Sequence, residues 1–503
     1  MKKAKSIQVC GTGSGVGKSV VACALCRIFL EDGLSVAPFK SQNMALNSFV
    51  TEDGGEIARA QAIQAYACQL KPTTDMNPIL IKPSSDTFAQ IIMQGKPVGN
   101  MSVYQYKEYK KLVYVKVKES LRRLQNKYEV VVIEGAGSPA EINLKKHDLA
   151  NLRIAALAKA PVILVGDIDK GGVFASLVGT LQLLDEKERS MIKGFIINKF
   201  RGDQRLLRPG IRFLEKYTGI KVLGILPYFL DIRVPEEDSL PPQANKKPIS
   251  NKTIKISVIY LPHISNFTDF DALQNEGDVR LNFVRNCEDL ENPDIIIIPG
   301  SKNTIGDLSY LKKCGLADKI VSFLRQPHGP VLVGLCGGYQ MLGRVIRDHK
   351  NIESKQREIA GLGILPIVTE MRPKKILTQV EARHLPSGKE ITGFEIHHGR
   401  TRYCGKVKPL FRVSHIKVRA KQEYDGIASA DGRCWGTYIH GVFDCDGFRR
   451  HFLNGIRSKK GWPALTKTEK YNAGGDITKL AKLVRANLDM DTLYKIMGIR
   501  RHN

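Results

Sequence analysis

The chain has no uninterrupted apolar stretch of 18 residues, so nothing in it predicts a transmembrane helix. It also lacks the layout of a signal peptide. Ala22-Cys23-Ala24-Leu25-Cys26 follows a Met-Lys-Lys start, but a glycine-rich loop stands where the apolar region should be. The ten cysteines have no framework spacing, which excludes a small disulfide-stapled scaffold. Cys23 and Cys26 form a C-x-x-C inside an apolar helical run, where buried thiols are the better reading than a redox pair. This usage predicts a reducing, cytoplasmic setting. Acidic residues are scarce: 50 Asp and Glu face 77 Lys and Arg, a net charge of +27. No zinc-finger or RNA-binding pattern accompanies that excess, so no nucleic-acid partner is expected. A solvated basic surface or an anionic substrate remains. The basic residues spread through the chain, with modest clusters at 107–118 and 458–470.

What is present is ordinary for a globular protein, 43% hydrophobic and 25% charged, and 503 residues suit two domains. The first half is organised around Cys10-Gly11-Thr12-Gly13-Ser14-Gly15-Val16-Gly17-Lys18-Ser19, between an apolar run at 7–9 and a helical run at 20–30. A strand, a glycine turn and a helix start form a phosphate cradle. Gly11, Thr12, Gly15 and Gly17 let main-chain N–H groups approach an anion, Lys18 adds a full charge, and Ser19 offers a hydroxyl to Mg²⁺. The common P-loop would place its first glycine at position 12, where this chain has Thr12. Counted from Gly11 the loop is one residue longer.

Strand-like runs at 35–38, 130–133, 162–165, 194–197 and 221–225 alternate with helical stretches such as 56–69 and 112–126. That alternation predicts an α/β fold with a mostly parallel sheet, its ligand beyond the strand C-terminal ends. Polar loops follow the strands there, at 40–48, 134–144, 166–172 and 198–203. Glu134, opposite Lys18 and Ser19, has the position of a Mg²⁺-holding carboxylate. Asn198 and Lys199 could frame a nucleotide base, or be turn residues. Asp148, Asp167 and Asp169 could act on substrate or metal; Asp148 is the catalytic candidate among them.

Residues 240–248, rich in proline, asparagine and lysine, read as a linker. A second α/β domain starts with a strand at 254–261. The apolar run at 294–298 turns at Pro299-Gly300-Ser301-Lys302, and the run at 330–333 leads into Gly334-Leu335-Cys336-Gly337-Gly338. A cysteine between strand and helix, flanked by small residues, is a nucleophile elbow, and the helix start lowers its thiol pKa. Such a nucleophile needs a base. His440, about a hundred residues on and near the end of a domain of about 200 residues, is preferred over His397 and His398. The boundaries expected are 1–238 for the first domain, 239–253 for the linker, 254–455 for the second domain and 456–503 for a basic helical extension with helices at 477–487 and 489–497. No chemistry is read in that extension.

These motifs, in this order, resemble the cobyric acid synthase family up to about residue 450. The first half looks like a dethiobiotin-synthetase-type P-loop ATPase, and the second like a triad-type glutamine amidotransferase. The resemblance implies that Cys336, activated by His440, takes ammonia from glutamine through a thioester. Gly300 and Gly337 would supply oxyanion N–H groups. ATP and Mg²⁺, held through Ser19 and Glu134, would activate carboxylates as acyl phosphates. The acceptor implied is adenosylcobyrinic acid a,c-diamide, a polyanionic corrin amidated at four peripheral carboxylates (b, d, e and g). Triad-type amidotransferases carry a glutamate two residues after the histidine; here that position is Val442. The family lacks this acid too, which leaves open what orients His440: Asp444 is near, and a main-chain carbonyl would serve. Two alternatives are a cobyrinic acid a,c-diamide synthase and a partitioning-type ATPase switch. The residues at 40–48 and 134–144 argue against the first, and Cys336 with His440 against the second.

Overall fold

The computed structural model describes residues 4–84, 87–145, 148–229, 232, 252–415, 423–466, 470–471 and 473–500. The expected linker at 240–248 lies outside the described residues.

Runs of Val and Ile with no polar alternation suit strands buried on both faces, and parallel strands covered by helices are so buried. The strands of the first half form such a sheet. Its order is Val222–Pro227, Ile192–Phe200, Val162–Asp167, Lys5–Gly11, Val130–Glu134 and Val36–Phe39. Every neighbouring pair is parallel. Lys5–Gly11 sits centrally, so the glycine loop leaves the middle of the sheet and runs directly into helix Lys18–Glu31. Cys23 and Cys26 face the core from that helix, and burial raises both thiols above their ordinary pKa.

Two local expectations shift. The helix expected at 56–69 is shorter, Arg59–Ala67, because Glu56–Ala58 is a strand paired with Ser48–Val50. Tertiary contacts draw these residues out: Glu56 is buried between two lysines and Ile57 enters a core with Phe49 and Phe394. The helix expected at 112–126 begins earlier, as Val103–Lys127. Ser102 and Gln105 close a reciprocal capping box at its start. A small sheet of Ile79–Pro83, Phe88–Met93 and Lys96–Ser102, with Gln42–Met44 at its edge, lies between these elements and was not anticipated.

The second half builds a mixed sheet around five parallel strands: Val279–Val284, Ile254–Ile259, Ile295–Ile298, Val331–Leu335 and Cys434–Thr437. Antiparallel strands extend it, among them the long hairpin of Ile367–His384 and Glu390–Tyr403. The middle of its strand Ile367–His384 reaches the first domain. Lys375 Nζ donates to Glu56 Oε2 (2.6 Å) and Gln379 Nε2 to Val50 O (2.9 Å). Burial opposes ionisation of Glu56, but Lys375 and Lys82 beside it hold its pKa far below the usual carboxylate range.

The last helices return to the first domain. Ile477, Leu480, Val484, Leu493 and Tyr494 share one core with Ile7, Val20, Val21 and Phe29. Helix Ala473–Ala486 packs on Lys18–Glu31, Arg485 pairs with Asp32 (2.8 Å), and Asp489 N–H donates to Leu223 O (2.7 Å). The basic extension therefore completes the nucleotide-domain core from the far end of the chain.

Candidate active sites

The first site lies at the C-terminal ends of the parallel strands. Gly15 and Gly17 hold φ of 69° and 101°, the left-handed region that an L side chain enters at a cost. A Cβ at Gly17 would meet Asn198 Nδ2 at 2.0 Å, so glycine is required there twice over. Gly11 is closed in the same way, with a Cβ there 2.4 Å from Val16 Cγ2. Lys18 Nζ folds over the loop and donates to Gly13 O (2.7 Å) and to Gly137 O (3.0 Å) of the loop after Val130–Glu134. Ser19 Oγ donates to Glu134 Oε1 (2.7 Å), and Lys40 Nζ reaches the same oxygen at 3.0 Å. The other oxygen accepts from Gln64 Nε2 (2.5 Å). Glu134 is fully buried; burial works against its charge, yet Lys40 and the Ser19 and Gln64 hydrogen bonds win and lower its pKa.

Asn198 and Lys199 close the loop from the side. Asn198 Nδ2 donates to Val16 O (2.9 Å), leaving its buried Oδ1 without a partner. Lys199 Nζ donates to Gly15 O (2.6 Å) and pairs with Asp167 (3.1 Å). Asp148 has a different setting. Its carboxylate accepts the N–H of Ala150 (2.8 Å) and of Asn151 (3.0 Å), and so closes the turn before helix Leu152–Ala158. Burial raises its pKa. Thr12 prolongs the pairing of strands Lys5–Gly11 and Val162–Asp167, its N–H donating to Val165 O (2.9 Å).

The second site forms where Val331–Leu335 meets helix Gly337–Met341. Cys336 between them holds φ 50° and ψ −104°, a strained elbow conformation for a residue with a Cβ. Its N–H donates to Thr437 O (2.9 Å), which ties the elbow to the strand that delivers His440. Gly337 and Gly338 are obligatory by contact. A Cβ at Gly338 would stand 2.0 Å from Ile298 O, and one at Gly337 would stand 2.9 Å from Ser301 N. Gly300 and Ser301 pair with Ser265 and Ile264 in a short antiparallel ladder. A Cβ on Gly300 would meet His440 Cε1 at 3.1 Å. The Pro299-Gly300-Ser301 turn, the elbow and the histidine thus enclose one small volume.

His440 is fully buried. Its Nδ1–H donates to Asp269 Oδ2 (2.7 Å), and the other Asp269 oxygen accepts Gly441 N–H (2.9 Å). Phe394 stacks on the ring at a centroid distance of 5.3 Å. Burial alone would lower the imidazole pKa, but Asp269 and a hydrogen bond with the Cys336 side chain raise it to about 10. Asp269 fixes the tautomer and stabilises imidazolium, the role of the acid in a nucleophile–histidine–acid triad. Val442, where the common acid would stand, is packed in the core.

The model for "CobQ/CobB/MinD/ParA nucleotide binding domain" matches residues 7–241, and that for "CobB/CobQ-like glutamine amidotransferase domain" matches 255–448. The cobyric acid synthase of Dehalococcoides mccartyi (strain CBDB1) is 48% identical over 99% of this chain and 100% of its own length. That of Syntrophobacter fumaroxidans is 45% identical over 99% of each chain. The chain belongs to the cobyric acid synthase family. The "Adenosylcobalamin biosynthesis bifunctional protein CobDQ" of Leptospira interrogans is 47% identical over 99% of this chain, which spans 57% of that longer protein.

As a member of that family the chain is an enzyme with a nucleotide-binding P-loop domain followed by a glutamine amidotransferase domain. Among the described residues no helix is long and apolar enough to cross a membrane. Gly11, Gly15, Gly17, Lys18, Ser19, Glu134, Asn198 and Lys199 converge at one end of the first sheet, and Cys336, His440, Gly300 and Gly337 at one point of the second domain. His397 and His398 stand outside that convergence. His397 Nδ1 donates to Gly399 O (2.7 Å), and His398 is bound to Gln90 and Arg372 O, its pKa lowered to about 3 chiefly by burial.

The orienting group for His440 corrects the sequence expectation. It is neither Asp444 nor a main-chain carbonyl but Asp269, 171 residues upstream. Asp444 is part-buried, pairs loosely with Arg59 (3.8 Å), and desolvation raises its pKa to about 7. The signal available was Asn266-Phe267-Thr268-Asp269, a polar turn where the first strand of the second domain ends, the usual place for site residues in an α/β sheet.

Proposed function

We propose that this protein amidates the b, d, e and g carboxylates of adenosylcobyrinic acid a,c-diamide, with ATP and glutamine as co-substrates. The observation that carries the reading is the joint presence, in one chain, of a cysteine elbow facing an acid-oriented histidine and a lengthened phosphate loop with its lysine, serine and carboxylate assembled. Cys336 Sγ attacks the glutamine side-chain carbonyl carbon, and His440 passes its proton to the leaving nitrogen, which departs as ammonia. The main-chain N–H of Gly337 and of the Gly300 turn face the developing oxyanion. Water, deprotonated by His440, releases glutamate and restores the thiol.

In the first domain Gly11 to Ser19 cradle the phosphates of ATP, Lys18 neutralises their charge, and Asn198 and Lys199 hold the loop and border the base. Mg²⁺ fits the donor set of a buried carboxylate beside a hydroxyl, Glu134 Oε1 and Ser19 Oγ at 2.7 Å, and would shield phosphate charge there. An acceptor carboxylate takes the γ-phosphoryl group, and ammonia displaces phosphate to leave the amide. The carboxylate needs that activation because it is itself a poor electrophile. Asp148, which closes the 148–151 turn, acts by holding the loop that follows Glu134. The excess of basic residues suits a polyanionic acceptor.

Cys336→Ser tests the reading. Amidation driven by glutamine should vanish while amidation driven by ammonium salt survives, followed by mass change of the corrin. Loss of both would mean that Cys336 serves the fold or the synthetase site.

A further inference from the structure

A short segment of the first domain reaches across to the histidine of the second. Asn47 Oδ1 accepts the N–H of Phe267 (3.0 Å), and Asn266 Oδ1 accepts the N–H of Ser48 (2.9 Å). This is a reciprocal pair between two asparagines and two backbones, and Asn47, Ser48 and Asn266 are all buried. Asn47 is itself fixed, its carbonyl accepting Arg59 N–H (3.1 Å). The partner side of the pair is the site. Asn266 starts the turn Phe267–Phe270 that carries Asp269, and its Nδ2 lies 3.2 Å from His440 Nε2. Asn266 holds φ 53°, in the left-handed region that asparagine enters more readily than most non-glycine residues.

A second contact arrives from the same segment. The Phe49 ring packs on Phe394 at 5.9 Å, and Phe394 stacks on His440. Phe394 and His440 also exchange backbone hydrogen bonds, His440 N–H to Phe394 O (2.9 Å) and Phe394 N–H to His440 O (3.2 Å). Two residues apart, where strand Ser48–Val50 begins, Asn47 and Phe49 therefore hold His440 through different intermediaries: one through the turn that carries its acid, one through the ring stacked on its face. Simple adhesion between domains would not need both contacts to end on the same imidazole. The segment also follows Lys40, whose ammonium touches Glu134 in the nucleotide site.

We propose that Asn47 and Phe49 are positioning residues for the glutaminase: the ATP-binding domain completes the cysteine site by holding His440 and Asp269 in line with Cys336. This rests on the glutaminase reading above. In the full-length protein, Asn47→Ala should lower kcat for glutamine hydrolysis about tenfold, with KM for glutamine moved less than about twofold. Glutamine-driven amidation should fall at least about fivefold more than ammonia-driven amidation. In an Asp269→Asn background the same change should add less than about twofold, because both act on one imidazole. Phe49→Leu, which keeps apolar volume, should lower glutaminase kcat about threefold and carries the test if Asn47→Ala does not fold. Unchanged glutaminase kcat, additive effects with Asp269→Asn, or an equal fall with both nitrogen sources would overturn the proposal. A Cys336→Ser protein that still uses glutamine would instead overturn the glutaminase reading itself.

Discussion

Both sites sit where strands of a parallel sheet end, but they are assembled in opposite ways. The nucleotide site takes its loop, lysine and serine from nine consecutive residues, 11–19, and adds single residues from neighbouring strands. Its geometry is mostly that of one strand, one turn and one helix start. The glutaminase site is drawn from four separate stretches of chain: the Asp269 turn, the Gly300 turn, the Cys336–Gly337 elbow and His440. No two of them are neighbours in the chain, and its histidine is braced by residues 47–49 of the other domain. The difference teaches that a phosphate cradle is a local structure, because main-chain N–H groups do the work, whereas a nucleophile–histidine–acid site is a long-range one. Three side chains with separate roles must meet at hydrogen-bond distance, and no single turn can present them.

The comparison can be tested from its strongest point downward. Lys18→Ala should reduce amidation by about a thousandfold or more with glutamine and with ammonium salt alike, since phosphate charge serves both routes. Survival with ammonium would remove the nucleotide site from the reaction. Asp269→Asn should lower glutamine hydrolysis about a hundredfold and leave ammonia-driven amidation in place.

That same variant has a pH signature. His440 rises from 6.5 unfolded to about 10 folded, so the native state binds the extra proton between those values. Its contribution to stability is full below pH 6.5 and is lost as pH rises through about 10. Thermal melts over that window should therefore fall more steeply with pH for the wild type than for Asp269→Asn. Equal slopes would show that Asp269 does not set the imidazole's charge.

Smaller effects concern how the chain ends build the first domain. Leu480→Ala should cost about 2–5 kcal/mol in denaturant unfolding, because Leu480 is fully buried in the core shared with Lys18–Glu31. Arg485→Ala on the same helix should cost only about 0.2–1 kcal/mol, its pairs with Glu31 and Asp32 being partly exposed. A reversed order would mean that charge, not apolar burial, seats the C-terminal helices.

Local signals carried far in the first domain and less far in the second. Apolar runs marked the parallel strands, since a strand buried on both faces has no polar alternation to disguise it. Gly11 to Ser19 and the Cys336 elbow were legible because turns that need glycine announce themselves. Strand Glu56–Ala58 was read as helix, because its extended state depends on Lys82 and Lys375 from elsewhere. Asp269 is not legible as the group that orients His440, since nearness in sequence is a poor guide to what faces an imidazole.

By itself, then, the amino-acid sequence determined the α/β alternation, the phosphate loop and the cysteine elbow. Each rests on chemistry contained within a few residues or on a repeating apolar pattern. Tertiary structure alone decided that Asp269 orients His440, that residues 47–49 brace it from the other domain, and that the final helices finish the nucleotide-domain core. Those are contacts across some 170 to 480 residues, and their partners are chosen by where strands and helices pack, which no local propensity encodes.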